Sequence, residues 1–224
     1  MRFDRVQLQA PAASLAALDD FYAGRLGLEP QEAGWKVGET ELLFVPGPGE
    51  PFYHFALLVP GDRFDAAFEW IERHVSLLPD RETGDVVFDF DNWDALACYF
   101  HDPAGNIVEL IAHRGVEESG RQGSFAASEL VGVSELGLVG DKPALAAALR
   151  GELGLEQWDG DLADEARLAF VGEKARTIIL SPEGRGWLPT GRAAEPHPCD
   201  IALAGAGEGV ALLGDSHYRI AGRA

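Results

Sequence analysis

The sequence predicts an α+β fold built on a repeated unit of strand, helix and further short strands. Three observations carry this. Between Phe52 and Leu110 a strand-like run, a helical run and three more strand-like runs follow one another. The same order precedes them, ending at the breaker cluster Pro46-Gly47-Pro48-Gly49-Glu50-Pro51. Two short stretches recur after residue 128: Gly24-Arg25-Leu26-Gly27-Leu28-Glu29 is echoed by Gly151-Glu152-Leu153-Gly154-Leu155-Glu156, and Val37-Gly38-Glu39 by Val171-Gly172-Glu173.

The first unit opens with a loosely alternating strand, Phe3 to Gln9. Ser14 is placed as an N-cap. Leu15, Leu18, Phe21, Tyr22 and Leu26 then recur at helical spacing, and Gly27 fits the helix end. Short strands follow at Gly34–Val37 and Thr40–Val45. In the second unit, Phe52–Val59 reads as a strand. Phe64–His74 reads as a helix with Phe64, Ala67, Phe68 and Ile71 on one face. Val86–Phe90, Ala95–Phe100 and Ile107–Ala112 read as strands, the last two joined by the turn Asp102-Pro103-Ala104-Gly105-Asn106. Polar, Gly-containing residues 115–128 read as a boundary. The third unit has a strand from Val131, a helix over Pro143–Leu153, and strands at Arg167–Val171 and Arg176–Leu180. A loop over 181–198 follows. The fourth has strands at Asp200–Ala204, Gly209–Leu213 and Tyr218–Ala221, with no room for a helix.

Of the 224 residues, 46% are hydrophobic and 9% aromatic, enough for an ordinary core. The formal charge of -19 argues against nucleic acid and anionic membranes as partners. The two cysteines, Cys98 and Cys199, form no CxxC pair, which suggests a reducing compartment. With no apolar leader core and no run long enough to span a bilayer, a cytoplasmic protein is the expected class.

The second unit sets His54 on its first strand and Glu109 on its last, in Asn106-Ile107-Val108-Glu109-Leu110. This stretch resembles one βαβββ module of the vicinal oxygen chelate superfamily, which includes glyoxalase I, extradiol dioxygenases and bleomycin-resistance proteins. The resemblance implies βαβββ modules paired into cupped mixed β-sheets. It divides the chain into a first module pair at 1–115 (modules 1–48 and 50–115) and a second at 129–224 (module 129–182 and truncated module 197–224). It also implies metal ligands on the first and last strand of each module, up to four from a pair.

On that pattern His54 and Glu109 are metal ligands, with Glu109 also the catalytic carboxylate. The alternative for the two is a buried ion pair. Module one departs from the pattern, with Arg5 and Leu42 at the ligand positions. Gln7, on the same strand face as Arg5, and Glu41, one residue from Leu42, are the substitutes expected to complete the metal site. Module three offers Glu135 on its first strand and a last-strand position near Arg176 or Thr177. Module four offers Cys199 or Asp200. No second metal is expected there. His113 shares a strand face with Glu109, Tyr99 lies on the neighbouring strand, and Trp93 sits in a polar turn at the expected cavity rim. With Arg5 these are the expected substrate-binding residues.

The resemblance implies a divalent-metal-dependent lyase, isomerase or ring-cleaving oxygenase, using Fe, Mn, Ni or Zn on the vicinal oxygens of a small molecule. The rival is a metal-free small-molecule binding or drug-sequestering protein in which Arg5 holds an anionic group. A third reading makes the repeats an assembly scaffold. Pairing into a homodimer is left open.

Overall fold

The structure, a computed structural model, describes residues 1–215 and 217–224. Module one consists of β1 (Arg2–Ala10), α1 (Leu15–Asp19) continued by a wider π-helical stretch over Asp20–Arg25, β2 (Glu29–Pro30), β3 (Trp35–Val37) and β4 (Thr40–Pro46). Module two consists of β5 (His54–Val59), α2 (Phe64–Ile71), β6 (Phe88–Phe90), β7 (Ala95–His101) and β8 (Ile107–His113). Module three has β9 (Gly132–Val139), α3 (Lys142–Leu153), β10 (Gln157–Gly160), β11 (Ala169–Glu173) and β12 (Arg176–Ser181). A short hairpin, β13 (Gly186–Trp187) with β14 (Arg192–Ala193), leads to β15 (Cys199–Ala204), β16 (Gly209–Leu213) and β17 (Tyr218–Arg223). The α+β class is as expected, and among the described residues, 197–224 hold strands and no helix. Among the described residues no helix is long and apolar enough to cross a membrane.

The modules pair differently from the expected halves. A seven-stranded sheet runs β16-β17-β15-β1-β4-β3-β2, joining module one to module four. An eight-stranded sheet runs β10-β11-β12-β9-β5-β8-β7-β6, joining module two to module three. The pairing of module one with two, and of three with four, is therefore replaced by one with four and two with three. Adjacency in sequence favours neighbours, but it does not decide which strand edges meet.

Alternation explains how one strand serves two environments. Every residue of β5 is buried. Phe55, Leu57 and Val59 join the main core with Phe3, Val6 and Leu8 of β1 and the helix residues Leu18, Ile71 and Leu149. Ala56 points the other way, into a smaller cluster with Ala97, Tyr99, Ile107, Ile111, Phe170, Ile179 and Trp187.

The repeat has a physical basis at the helix ends. Gly27 and Gly154 both hold positive φ, +77° and +65°, where a side chain would be strained. The second echo does not match equivalent positions. Gly38 lies in the turn between Val37 and Thr40, whereas Gly172 lies inside β11, paired with Thr177. The corresponding turn is Lys174-Ala175, two residues later.

The turn after β7 clips two site strands together. Asp102 is buried and accepts from the Ala104 and Asn106 amides and from the Asn106 side chain. The Tyr22 hydroxyl also donates to it, at 2.9 Å. Asn106 Oδ1 in turn accepts from the Tyr53 amide at 2.8 Å, and the Ile107 amide donates to the Tyr53 carbonyl at 2.9 Å. This fixes the start of β5 against the start of β8, with His54 opposite Ile107.

Candidate metal centre

The eight-stranded sheet brings three buried donors together. β5 supplies His54, β8 supplies Glu109 and β9 supplies Glu135. One ligand atom from each lies within 4.8 Å of the others. Register explains the convergence. Ala56 sits opposite both Glu109 on β8 and Glu135 on β9, so both carboxylates project from the sheet face that His54, two residues before Ala56, also uses.

His54 Nδ1 lies 3.1 Å from the Ile107 carbonyl oxygen. A carbonyl only accepts, so Nδ1 carries the proton and the Nε2 lone pair faces the carboxylates. Nε2 is 3.5 Å from a Glu109 oxygen. Burial drives the protonation states. It lowers the His54 pKa to about 4, against the raising effect of the Ile107 carbonyl and aided by the Arg185 charge. It raises Glu109 well above the usual carboxylate range, helped by the Glu135 charge. It raises Glu135 to about 7. Burial thus pushes both members of the His54–Glu109 contact towards their neutral forms. Glu135 Oε1 is buried with no hydrogen-bond partner among the described residues. A divalent cation answers all three features: it accepts the imidazole lone pair, stabilises both carboxylates and engages the orphan oxygen.

The fourth ligand position is apolar. In module two the last-strand residue Glu109 is opposite Ala56, two residues beyond His54. By the same rule in module three, the residue opposite Gly137, two beyond Glu135, is Ile179. It replaces the expected Arg176 or Thr177, because the turn before β12 falls two residues later than the glycine echo placed it. Ile179 is buried and lines the chamber.

The chamber is small, about 60 Å³, and mostly apolar. Phe90, Trp93, Tyr99, Phe170 and Trp187 wall it. Trp187 packs 5.0 Å from the His54 ring and Tyr99 6.2 Å from it, centroid to centroid. Trp93 meets Phe170 edge-on at 4.6 Å. An outer cavity of about 520 Å³ shares Phe90, Trp93, Leu168, Phe170 and Arg185 with the chamber. Trp187, Leu188 and Arg185 come from the loop between modules three and four, which roofs the site.

The expected module-one residues do not line this chamber. Arg5, Gln7 and Glu41 lie on the seven-stranded sheet. There Arg5 donates to Gln7 at 2.6 Å and its Nε lies 3.6 Å from Glu41, so the three occupy one another. They lie on the other sheet from His54 and Glu109, and the third donor brought beside those two is Glu135. Trp93 and Tyr99 do line the chamber. His113 shares the strand face of Glu109 but lies beyond the chamber, fully buried, with neither ring nitrogen hydrogen-bonded among the described residues. His101 and His74 make local bonds to the Asn106 and Trp70 carbonyls. Sequence reasoning had Glu135 at a first-strand ligand position but set it aside with module three. The roof residues Arg185 and Trp187 had only one signal, a tryptophan and a basic residue inside a Pro/Gly loop.

No family model and no curated protein matches the chain. Solved structures do. A candidate dioxygenase from Bacillus subtilis subsp. subtilis strain 168 is similar with a TM-score of 0.56 at 16% identity, over 99% of this chain and 85% of that one. Glyoxalase I from Zea mays is similar with a TM-score of 0.51 at 13% identity, over 90% and 74% of the two chains. At such identities the likeness is one of fold, an α+β arrangement of curled mixed β-sheets shared with these glyoxalase- and dioxygenase-like structures.

Proposed function

We propose, from the fold shared with glyoxalase I and the dioxygenase candidate, that this chain is a divalent-metal-dependent enzyme. It acts on a small, planar, largely apolar molecule that offers two vicinal oxygens. The observation that carries this reading is the buried His54–Glu109–Glu135 cluster with its orphan carboxylate oxygen. One imidazole and two carboxylates, with no thiolate, suit Fe(II) or Mn(II) best, with Ni and Zn less favoured. When bound, such an ion supplies Lewis-acid polarisation of the substrate oxygens.

The protein's own part is orientation and exclusion. The Ile107 carbonyl holds the His54 tautomer that leaves Nε2 free. Ile179 closes the side where a fourth ligand would stand, which leaves the chamber side for substrate. Tyr99 keeps its proton across the neutral range, since burial and the neighbouring Glu109 and Glu135 charges raise its pKa. It can therefore donate to a substrate oxygen. The aromatic walls bind a planar molecule and keep water out. The metal-free binding reading rested on Arg5 holding a ligand's anionic group, and Arg5 is engaged with Glu41 and Gln7 elsewhere.

The test is metal content. Protein purified without added metal, or reconstituted with Fe(II) or Mn(II), is expected to hold about one ion per chain. His54→Ala and Glu135→Gln should each lower metal affinity at least tenfold, the scale set by losing one ligand and its orientation. Gln7→Ala and Glu41→Ala should leave it unchanged. Failure of the native protein to bind any of the four metals would overturn the reading.

A further inference from the structure

Arg185 stands where the inner chamber meets the outer cavity and lines both. It is one of two arginines at that mouth, with Arg167, in a chain of net charge -19. No carboxylate pairs with it among the described residues. Its Nε donates to the Ala166 carbonyl and one Nη1 hydrogen to the Gly186 carbonyl, each at 3.0 Å. Both bonds hold the side chain in place without neutralising it. One Nη1 hydrogen and both Nη2 hydrogens keep no protein acceptor among the described residues, which is the edge a carboxylate takes bidentately. The acids at the outer mouth, Asp89, Asp91 and Asp159, make no ion pair with it among the described residues. Asp159 accepts from the Trp93 indole N–H, and Asp89 and Asp91 are exposed.

The aromatic walls, this guanidinium and the three metal-ligand candidates line one chamber, and Arg185 alone of the four polar groups also lines the outer cavity. A ligand that fills the space therefore has an apolar ring, two oxygens at the inner end and one anionic group at the outer end. We infer that Arg185 determines specificity by pairing with a carboxylate on the substrate, making the substrate class single-ring aromatic or similarly planar acids. This deepens the proposed function and rests on it for the inner end only. The outer end is independent: an acidic protein repels anions at long range, so an anionic ligand needs a fixed local cation.

The experiment separates the two claims. Benzoate and its neutral isostere benzamide are titrated into metal-free protein, read by the fluorescence of the chamber tryptophans. Benzoate should bind roughly tenfold tighter than benzamide, the scale of a charge-assisted pair that is partly solvated. Arg185→Gln should abolish that preference while benzamide affinity holds, and Arg185→Lys should restore part of it. Mn(II) titration of the same variants reads the inner site. Arg185→Gln is expected to bind Mn(II) no more weakly than native protein. Equal binding of benzoate and benzamide, or a preference that survives in Arg185→Gln, overturns the inference even where Mn(II) binds. Absence of Mn(II) binding with the benzoate preference intact overturns the metal reading and leaves Arg185 as the anion site.

Discussion

Glu135 carries the pH behaviour of the centre. Its carboxyl holds a proton up to about pH 7 because burial disfavours the anion. A metal must displace that proton, and the one burial holds on Glu109, so affinity falls as pH drops through and below about 7. In the metal-free protein the sign is opposite. Between pH 4.5 and 7 the unfolded chain has already released this proton and the folded chain has not, so stability decreases as pH rises through that window. His54, lowered to about 4, acts in the other direction: stability decreases as pH falls from about 6.5 to about 4. The rise in melting temperature on adding Mn(II) should therefore grow from pH 5.5 to about 7.5. In Glu135→Gln that pH dependence should weaken, leaving the part due to Glu109, as differential scanning fluorimetry with and without EDTA would show. A metal-induced rise that is flat with pH in native protein would count against Glu135 as a ligand.

Elements position these residues through a few small contacts. Gly137 on β9 leaves room for the roof: a Cβ there would stand 2.7 Å from the Trp187 ring. Gly137→Ala should cost about 1–3 kcal/mol, the usual penalty of overpacking, and should shift Trp187 fluorescence. Gly151, in the interior of α3, offers the contrast, because a Cβ there meets nothing within 4 Å. Gly151→Ala should stabilise the protein by about 0.5–1 kcal/mol. Urea unfolding of both variants checks the pair, and the same sign for both would contradict this account. The roof is also tied down at its far end. Arg192 stacks 3.4 Å from the Phe52 ring and donates to the Gly105 carbonyl at 3.1 Å.

At the scale of the molecule, the crossed module pairing predicts how the chain divides. β5 and β9 meet at the centre of one sheet, and β1 meets β15 in the other. Cutting between residues 115 and 129 leaves each fragment with two unpaired strand edges and half of the shared core. Fragments 1–115 and 129–224 should each lack a cooperative thermal transition alone and regain one when co-expressed. A cooperative transition in 1–115 by itself would contradict the pairing. The same crossing brings Glu135 to His54 and leaves Gln7 and Glu41 on the other sheet.

Local sequence pattern accounts for most of the secondary structure of this fold. Periodicity and breakers located α3, β4, β7, β8 and the strands of module four within one or two residues, because those signals are short-range. It missed β10, whose residues Gln157–Gly160 are polar and partly exposed, and the hairpin β13–β14, each strand only two residues long. It also singled out His54 and Glu109, which one module holds on strands that pair directly. The third donor, the apolar Ile179 and the roof that carries Arg185 and Trp187 come together through long-range packing. The third donor depends on strand edges, β5 and β9, that meet across more than 70 residues of chain, a choice set by burial of whole sheet faces rather than by any local pattern.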